Sequence, residues 1–206
     1  MRQSFFIFIL NQLFPLRCLG CKVSGFKICS DCFQKIKQEP LWLKLEGVKV
    51  WSAIHYKQAL ISKVMQAWKY KGDKKLGDMF LLAVKYPNVQ ADLIVPVPLH
   101  KRRWVERGFN QAEQVGAAVS ICTGLKISND LQRGRYTKQQ AGLDGEARRK
   151  NLKEAFIWKG PSLHGRTILL VDDVVTTGST LSACVEVLKE AGAKEVLGIC
   201  LFRGGK

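Results

Sequence analysis

The stretch ILLVDDVVTTGST, residues 168–180, decides the fold. It begins within a continuous apolar run, residues 167–171, that is typical of a strand buried on both faces of a sheet. Two adjacent carboxylates, Asp172 and Asp173, follow the run, and a short polar loop then leads into a helix predicted over residues 180–191. A buried strand, a polar loop and a helix in this order indicate a parallel α/β unit.

The polar loop has the composition of a phosphate-binding site. The N-terminus of a helix presents unpaired N–H groups and the positive end of a dipole, which together bind phosphate. Gly178 permits a positive φ and a close approach of the backbone to an anion. Hydroxyl donors come from Thr176, Thr177, Ser179 and Thr180. The two carboxylates suit the hydroxyls of an attached ribose or a Mg²⁺ ion, and open α/β sheets bind ligands at this edge.

The chain from residue 46 onward alternates between strand and helix patterns. Strands are predicted over residues 48–56, 92–98 and 195–202, and helices over residues 59–68, 75–86 and 110–123. Asn110 and Glu113 form a capping-box pattern at the start of the last of these helices. We therefore predict a Rossmann-type, mostly parallel sheet flanked by helices over residues 46–206, preceded by a small separate module over residues 1–45.

The N-terminal module contains two Cys-x-x-Cys pairs. The chain has seven cysteines, and an odd number argues against a secreted disulfide framework. Four thiolates at this spacing close a tetrahedral structural zinc site, and the metal would supply folding energy that so small a module lacks. An iron–sulfur cluster or two redox pairs are the alternatives. The predicted ligands are Cys18, Cys21, Cys29 and Cys32. Small core positions are predicted for Cys122, Cys184 and Cys200.

The chain is strongly basic. Lys and Arg number 33 against 17 Asp and Glu, a net charge of +16, which attracts phosphate-rich partners. Cations alternate with aromatic rings in two segments, as in proteins that bind single-stranded nucleic acids, although a solvated surface and core rings explain the same pattern. The predicted nucleic-acid-binding residues are Lys69, Lys71, Lys101, Arg102, Arg103, Trp104 and Arg107.

The first residues, MRQSFFIFILNQLF, contain an apolar run that is too short to span a bilayer, which needs about 20 residues. Their spacing predicts an amphipathic first helix rather than a signal peptide. We predict a cytoplasmic protein, with peripheral contact at the inner face of the membrane as the alternative.

The loop at residues 172–180 closely resembles the phosphoribosyl-pyrophosphate (PRPP) signature of type I phosphoribosyltransferases. The resemblance implies that Asp172 and Asp173 hold the ribose hydroxyls, that residues 176–180 hold the 5′-phosphate, and that Mg²⁺ accompanies PRPP. The segment VPVPLHKRRWVERGFNQA, residues 95–112, resembles the pyrophosphate-binding loop of these enzymes. It offers His100, Lys101, Arg102 and Arg103. The polar stretch at residues 133–150 lies where these enzymes keep a flexible catalytic loop.

The order of all these parts, with WKYKGDKKLG at residues 68–77 between them, resembles the ComF family of competence proteins. The resemblance implies a role in natural transformation, with single-stranded DNA as partner and other DNA-uptake proteins as further partners. An active, Mg²⁺-dependent phosphoribosyltransferase of nucleotide or base salvage is the second hypothesis. The first is favoured because the excess positive charge exceeds what one small substrate needs.

Overall fold

The computed structural model describes residues 15–134 and 155–204. The predicted N-terminal helix and all of the predicted catalytic loop except residues 133 and 134 lie outside the described residues. The strands are β1 (Gln38–Leu45), β2 (Val48–His55), β3 (Leu93–Pro96), β4 (Leu131–Arg133), β5 (Phe156–Trp158), β6 (Thr167–Val175) and β7 (Glu195–Arg203). The helices are α1 (Ser30–Gln34), α2 (Ala59–Tyr70), α3 (Lys74–Ala83), α4 (Lys101–Arg107), α5 (Gln111–Thr123) and α6 (Ser179–Glu190).

A five-stranded sheet in the order β1-β2-β7-β6-β3 organises the described part of the chain. Strands β2, β7, β6 and β3 are parallel, and β1 pairs antiparallel with β2 at one edge. This architecture confirms the predicted mostly parallel α/β fold. A separate two-stranded pair, β4 and β5, flanks the residues of the predicted catalytic loop.

The central strand β6 is buried on both faces because the sheet separates two cores. Leu169 and Val171 pack into the core that holds helices α2, α3 and α5. Ile168 and Leu170 point the other way, into the core under helix α6. All four side chains are fully buried, as the continuous apolar run predicted.

Two predicted elements and one cysteine differ from the sequence-based prediction. Strand β6 continues through both acids to Val175, because the long neighbouring strand β7 pairs with it as far as Arg203. The segment predicted as a pyrophosphate-binding turn forms the short helix α4, which begins at Lys101. Cys122 was predicted to lie in the core but is exposed at the end of helix α5, whereas Cys184 and Cys200 are buried as predicted.

Strand β1 was not predicted at all. Its Pro40 suggested an end to the N-terminal module, but an edge strand tolerates proline because one side of its backbone pairs with nothing. Strands β1 and β2 join through Glu46 and Gly47, both with positive φ, so residue 45, the predicted module boundary, lies at the turn of a hairpin of the main sheet. The division at that residue stays a prediction.

Candidate functional site

The phosphate loop lies at the carboxyl end of β6, where helix α6 begins. Gly178 precedes the helix with φ of +92°, and a Cβ built there would lie 2.8 Å from Cβ of Leu45. A glycine is therefore required both for the backbone conformation and for the approach of the β1–β2 turn. Gly178 offers the helix no side-chain cap, and the N–H of Ser179 makes only a long hydrogen bond, 3.4 Å, to Oγ1 of Thr177, so the first turn retains N–H groups for an anion. The hydroxyls of Thr177 and Ser179 lie 2.9 Å apart at this end.

The two acids lie on the last residues of strand β6 rather than in the loop. Oδ1 of Asp172 accepts a hydrogen bond from the N–H of Asp173 at 2.8 Å. Burial, and then the negative charge of Asp173, raise the pKa of Asp172 well above its usual value. This carboxyl group is thus a hydrogen-bonding partner that is readily protonated, which suits contact with ribose hydroxyls.

Asp173 already has a cation. Nζ of Lys69, at the end of helix α2, lies 2.6 Å from Oδ2 of Asp173, and the two side chains are only 15% and 9% exposed. That oxygen is buried and has no aligned hydrogen-bond donor within the described residues, so the contact with Lys69 is an ion pair rather than a directed hydrogen bond. The alternative assignment of these carboxylates to a Mg²⁺ ion does not fit Asp173 as it stands, because the ammonium group occupies the oxygen that a metal would need.

Helix α4 brings its cations to the same edge of the sheet. Nδ1 of His100 accepts from the N–H of Arg102 at 3.2 Å and caps the helix. Burial, and then Arg133 and the neighbouring cations of the helix, lower the pKa of His100. None of the seven residues of α4 is buried. The predicted pyrophosphate residues therefore gather in one exposed turn, although in a helix rather than in a loop; their role in binding stays a prediction.

Arg133 is a residue that sequence reasoning did not select. Its guanidinium lies 5.2 Å from the ring of Phe156, and burial, followed by Arg103, lowers its pKa, while Asp172 acts in the opposite direction. Its Nε is buried and has no hydrogen-bond partner within the described residues. Arg133 thus lies within electrostatic reach of both α4 and the acid-bearing strand. As the first residue of a run of polar and basic residues, it carried no signal that set it apart.

A cleft of about 230 Å³ opens beside α4. Pro96 at the end of strand β3 and Pro98 just after it line the cleft, together with Trp104 and the β4 segment. The lining residues are Pro96, Pro98, Leu99, Trp104, Asn110, Glu113, Asn129, Leu131, Gln132 and Arg133. An aromatic ring beside amide groups is the kind of lining that accepts a flat heteroaromatic group.

Helices α2 and α4 lie side by side and expose a basic–aromatic surface. We define this surface by Tyr70, Lys71, Lys101, Arg102, Arg103, Trp104 and Arg107. Tyr70 is 73% exposed and Trp104 54%, and the guanidinium of Arg107 lies 5.4 Å from the ring of Tyr70. Lys69, predicted to join this surface, is instead directed to Asp173.

The four predicted zinc ligands form one cluster. All four Sγ atoms lie within 4.8 Å of one another, and those of Cys18 and Cys21 lie 3.7 and 3.6 Å from that of Cys29. A zinc ion with four thiolates at about 2.3 Å requires sulfur atoms about 3.8 Å apart, so the cluster fits this metal. A Cβ on Gly20 would lie 2.5 Å from Sγ of Cys32, which explains the glycine in the first turn.

One thiol of the sulfur cluster is prepared for ionisation, whereas burial raises the pKa of Cys32 to about 12, and the cluster also contacts the main core. Burial opposes ionisation of Cys18, but backbone hydrogen bonds, foremost from Cys29, outweigh it and lower the pKa of Cys18 to about 6. The ring of Phe33 packs 5.4 Å from that of Phe80 on helix α3, and Lys27 pairs with Asp73 at 2.5 Å. The segment around the cysteine cluster therefore contacts helix α3 through both apolar and ionic side chains.

No helix within residues 15–134 and 155–204 has both the length and the apolar character that crossing a bilayer requires.

Comparison with known proteins relates the chain to a domain family and to curated proteins. The phosphoribosyl transferase domain family matches residues 125–206, which include the acids and the phosphate loop. Competence protein F of Haemophilus influenzae is 32% identical, over 87% of this chain and 86% of that protein. Competence protein ComFC of Streptococcus pneumoniae is 30% identical, over 85% and 87%. DNA utilization protein YhgH of Escherichia coli O157:H7 is 40% identical, over 54% and 49%.

Proposed function

Because this chain belongs to the ComF family of competence proteins, we propose that it handles single-stranded DNA in natural transformation, on a domain that binds a phosphoribosyl ligand. The observation that carries the DNA part is helix α4, which leaves all seven of its residues unburied. A helix with no fully buried residue gains little from packing, so its Lys, Arg and Trp side chains are explained better by a partner than by the fold.

The basic–aromatic surface has the two elements that single-stranded DNA needs. Cations follow the phosphate backbone, and exposed rings stack on bases regardless of sequence. Tyr70 and Trp104 offer such rings, whereas Trp68 is fully buried and Phe109 is 6% exposed, so these two belong to the core. The contact between Arg107 and Tyr70 places a cation directly on one of the exposed rings.

The phosphoribosyl part rests on the edge of the sheet. The N-terminus of α6 and the hydroxyls of its loop would hold a 5′-phosphate, and Asp172 and Asp173 would accept hydrogen bonds from the ribose hydroxyls. The cations of α4 lie at the same edge and would hold a pyrophosphate group. In this arrangement the phosphate loop, the two acids and the cations of α4 together orient the phosphoribosyl ligand.

An active phosphoribosyltransferase is the second candidate, favoured by the position of Arg133. This partly buried guanidinium, influenced by both Asp172 and Arg103, would stabilise negative charge that develops on a departing pyrophosphate. Incubation with PRPP, candidate bases and single-stranded DNA, followed by measurement of pyrophosphate release, tests turnover. Release above the rate of an Asp172→Asn variant supports the transferase, and equal rates reject it.

The DNA-binding proposal is tested by the fluorescence anisotropy of a labelled single-stranded oligonucleotide. Arg102→Glu with Arg103→Glu reverses two charges on the surface, while Arg166→Glu with Lys194→Glu makes the same change near the amino ends of β6 and β7. We expect the first variant to lose affinity at least tenfold more than the control variant. Equal losses in the two variants would show that only the net charge acts, and they would refute a dedicated surface.

A further inference from the structure

We propose that Lys69 is the resident cation of the acid pair: its ammonium takes the place of a divalent ion on Asp173, so that the ribose 5-phosphate part of the ligand binds without a metal. The inference rests on the proposed phosphoribosyl site. It goes beyond that proposal by assigning to one side chain a role that a dissociable ion would otherwise fill.

The burial of the ion pair carries the argument. Nζ of Lys69 and Oδ2 of Asp173 lie 2.6 Å apart, and both side chains are more than four-fifths buried. Removing one partner from such a pair leaves the other charge buried without compensation, which is strongly unfavourable. A divalent ion would have to displace the ammonium group or bind beside it against like-charge repulsion. Either route disfavours a metal on Asp173.

The packing of Trp68, the preceding residue on helix α2, holds Lys69 in its direction toward Asp173. Trp68 is fully buried, and its Nε1 donates a hydrogen bond to Oε1 of Gln114 at 2.7 Å. A Cβ on Gly77 would lie 2.4 Å from the same indole nitrogen, so a glycine makes room for the ring. The last turn of α2 is therefore fixed by core packing, and the next residue, Lys69, points at strand β6.

The other carboxylate does not restore a metal site. Asp172 accepts the N–H of Asp173, and its carboxyl group lies close enough to that of Asp173 for the two to interact. Burial favours its protonated form, which donates or accepts hydrogen bonds with a hydroxyl but is a poor ligand for a hard cation. The acid pair therefore presents a carboxylate on Asp173, whose charge Lys69 neutralises, and a carboxyl group on Asp172 that can hydrogen-bond with a ligand hydroxyl.

The first test measures the metal site directly and needs no phosphoribosyl ligand. Mn²⁺ is titrated into the zinc-loaded full chain and followed by electron paramagnetic resonance. The wild type should show no site attributable to the acids. Lys69→Met should gain one with at least tenfold tighter binding, Asp173→Asn in that background should abolish it, and Lys75→Met, an exposed lysine on helix α3, should match the wild type.

Two outcomes of the Mn²⁺ titration would overturn the inference. A wild-type site that Asp173→Asn removes would mean that Lys69 does not exclude the metal. Failure of the folded Lys69→Met variant to bind Mn²⁺ would mean that the acids are not a cation site that the lysine fills. Thermal melting of each variant establishes that it is folded, and the double variant, which buries neither charge, provides a folded reference.

The second test uses ribose 5-phosphate, which lacks the pyrophosphate that itself chelates metal. Calorimetry in Mg²⁺-free buffer and in excess Mg²⁺ should give wild-type dissociation constants that agree within twofold. Lys69→Met should weaken binding at least tenfold without Mg²⁺ and recover partly when Mg²⁺ is added, whereas Lys69→Arg should retain metal-free binding. A wild type that needs Mg²⁺ contradicts the inference. A wild type that binds neither ribose 5-phosphate nor PRPP refutes the phosphoribosyl site itself, and with it the proposal of metal-free binding. In that case the Mn²⁺ titration still decides separately whether Lys69 excludes the metal.

Discussion

Salt titration of single-stranded DNA binding should count the cations that contact phosphate. Each neutralised phosphate contributes about −0.7 to the slope of log K against log salt concentration. The basic–aromatic surface offers Lys71, Lys101, Arg102, Arg103 and Arg107, which together give a slope of about −3.5. Lys69 does not count, because its ammonium is paired with Asp173 in a largely buried position.

Two single substitutions therefore have different expected effects although each removes one positive charge. Arg103→Ala should flatten the slope by about 0.7, uniformly across DNA sequences, because a phosphate contact carries no base information. Lys69→Met should leave the slope unchanged. Arg166→Ala, a cation outside the surface, serves as the control and should also leave it unchanged.

Fluorescence anisotropy at a series of salt concentrations measures all four slopes on one labelled oligonucleotide. Flattening of the slope by Lys69→Met to the same extent as by Arg103→Ala would mean that the lysine contacts DNA and that its ion pair opens on binding. A wild-type slope near zero would remove phosphate contacts from this protein altogether, and the salvage-enzyme hypothesis would then take the lead.

Three further predictions concern the metal, the acids and the exposed ring. Metal analysis should find one zinc per chain, which Cys21→Ser loses together with thermal stability, whereas Cys122→Ser keeps both; iron and sulfide in place of zinc would refute the assignment. Asp172→Asn should weaken PRPP binding by about 0.5–1.5 kcal/mol in calorimetry, and equal affinities would mean that the acid does not hold the ligand. Because the raised pKa of Asp172 makes the folded state bind its proton more tightly, the free energy of unfolding should fall as pH rises above about 4, and denaturant titrations should show less of this fall in the Asn variant. Trp104→Ala should cost about 1–3 kcal/mol of DNA affinity with little change in salt slope, while Trp68→Ala should instead destabilise the fold by about 3–5 kcal/mol; a Trp104 variant with wild-type affinity would exclude stacking.

Local chemistry was enough to predict the central unit of the fold. The apolar run before Asp172 is buried as expected, and Gly178 has the positive φ that the loop required. Asn110 caps helix α5 by accepting the N–H of Ala112 at 3.1 Å, and Gly124 ends that helix with φ of +73°. Each of these features depends on neighbours within a few residues in sequence, which is the range over which a sequence pattern is informative.

Contacts between distant segments explain what the sequence did not reveal. Strand β1 is an edge strand joined to β2 by a Glu46-Gly47 turn, in which glutamate stands where asparagine or aspartate usually signals a hairpin. The pairing of Lys69 with Asp173 joins residues more than a hundred positions apart, so the lysine had the same pattern as its exposed neighbours. Only the packing of α2 against the sheet distinguishes it from Lys71.

The central claim is that single-stranded DNA lies across helices α2 and α4, and photo-cross-linking tests it most directly. An oligonucleotide containing 5-iododeoxyuridine is irradiated with the full zinc-loaded chain, and the modified peptides are identified by mass spectrometry. We expect cross-links at Trp104 and Tyr70, the two exposed rings of the surface, and their loss on competition with unlabelled single strands. Specific cross-links that instead fall on the exposed Phe26, between the two cysteine pairs, with none on Trp104 or Tyr70, would contradict the account.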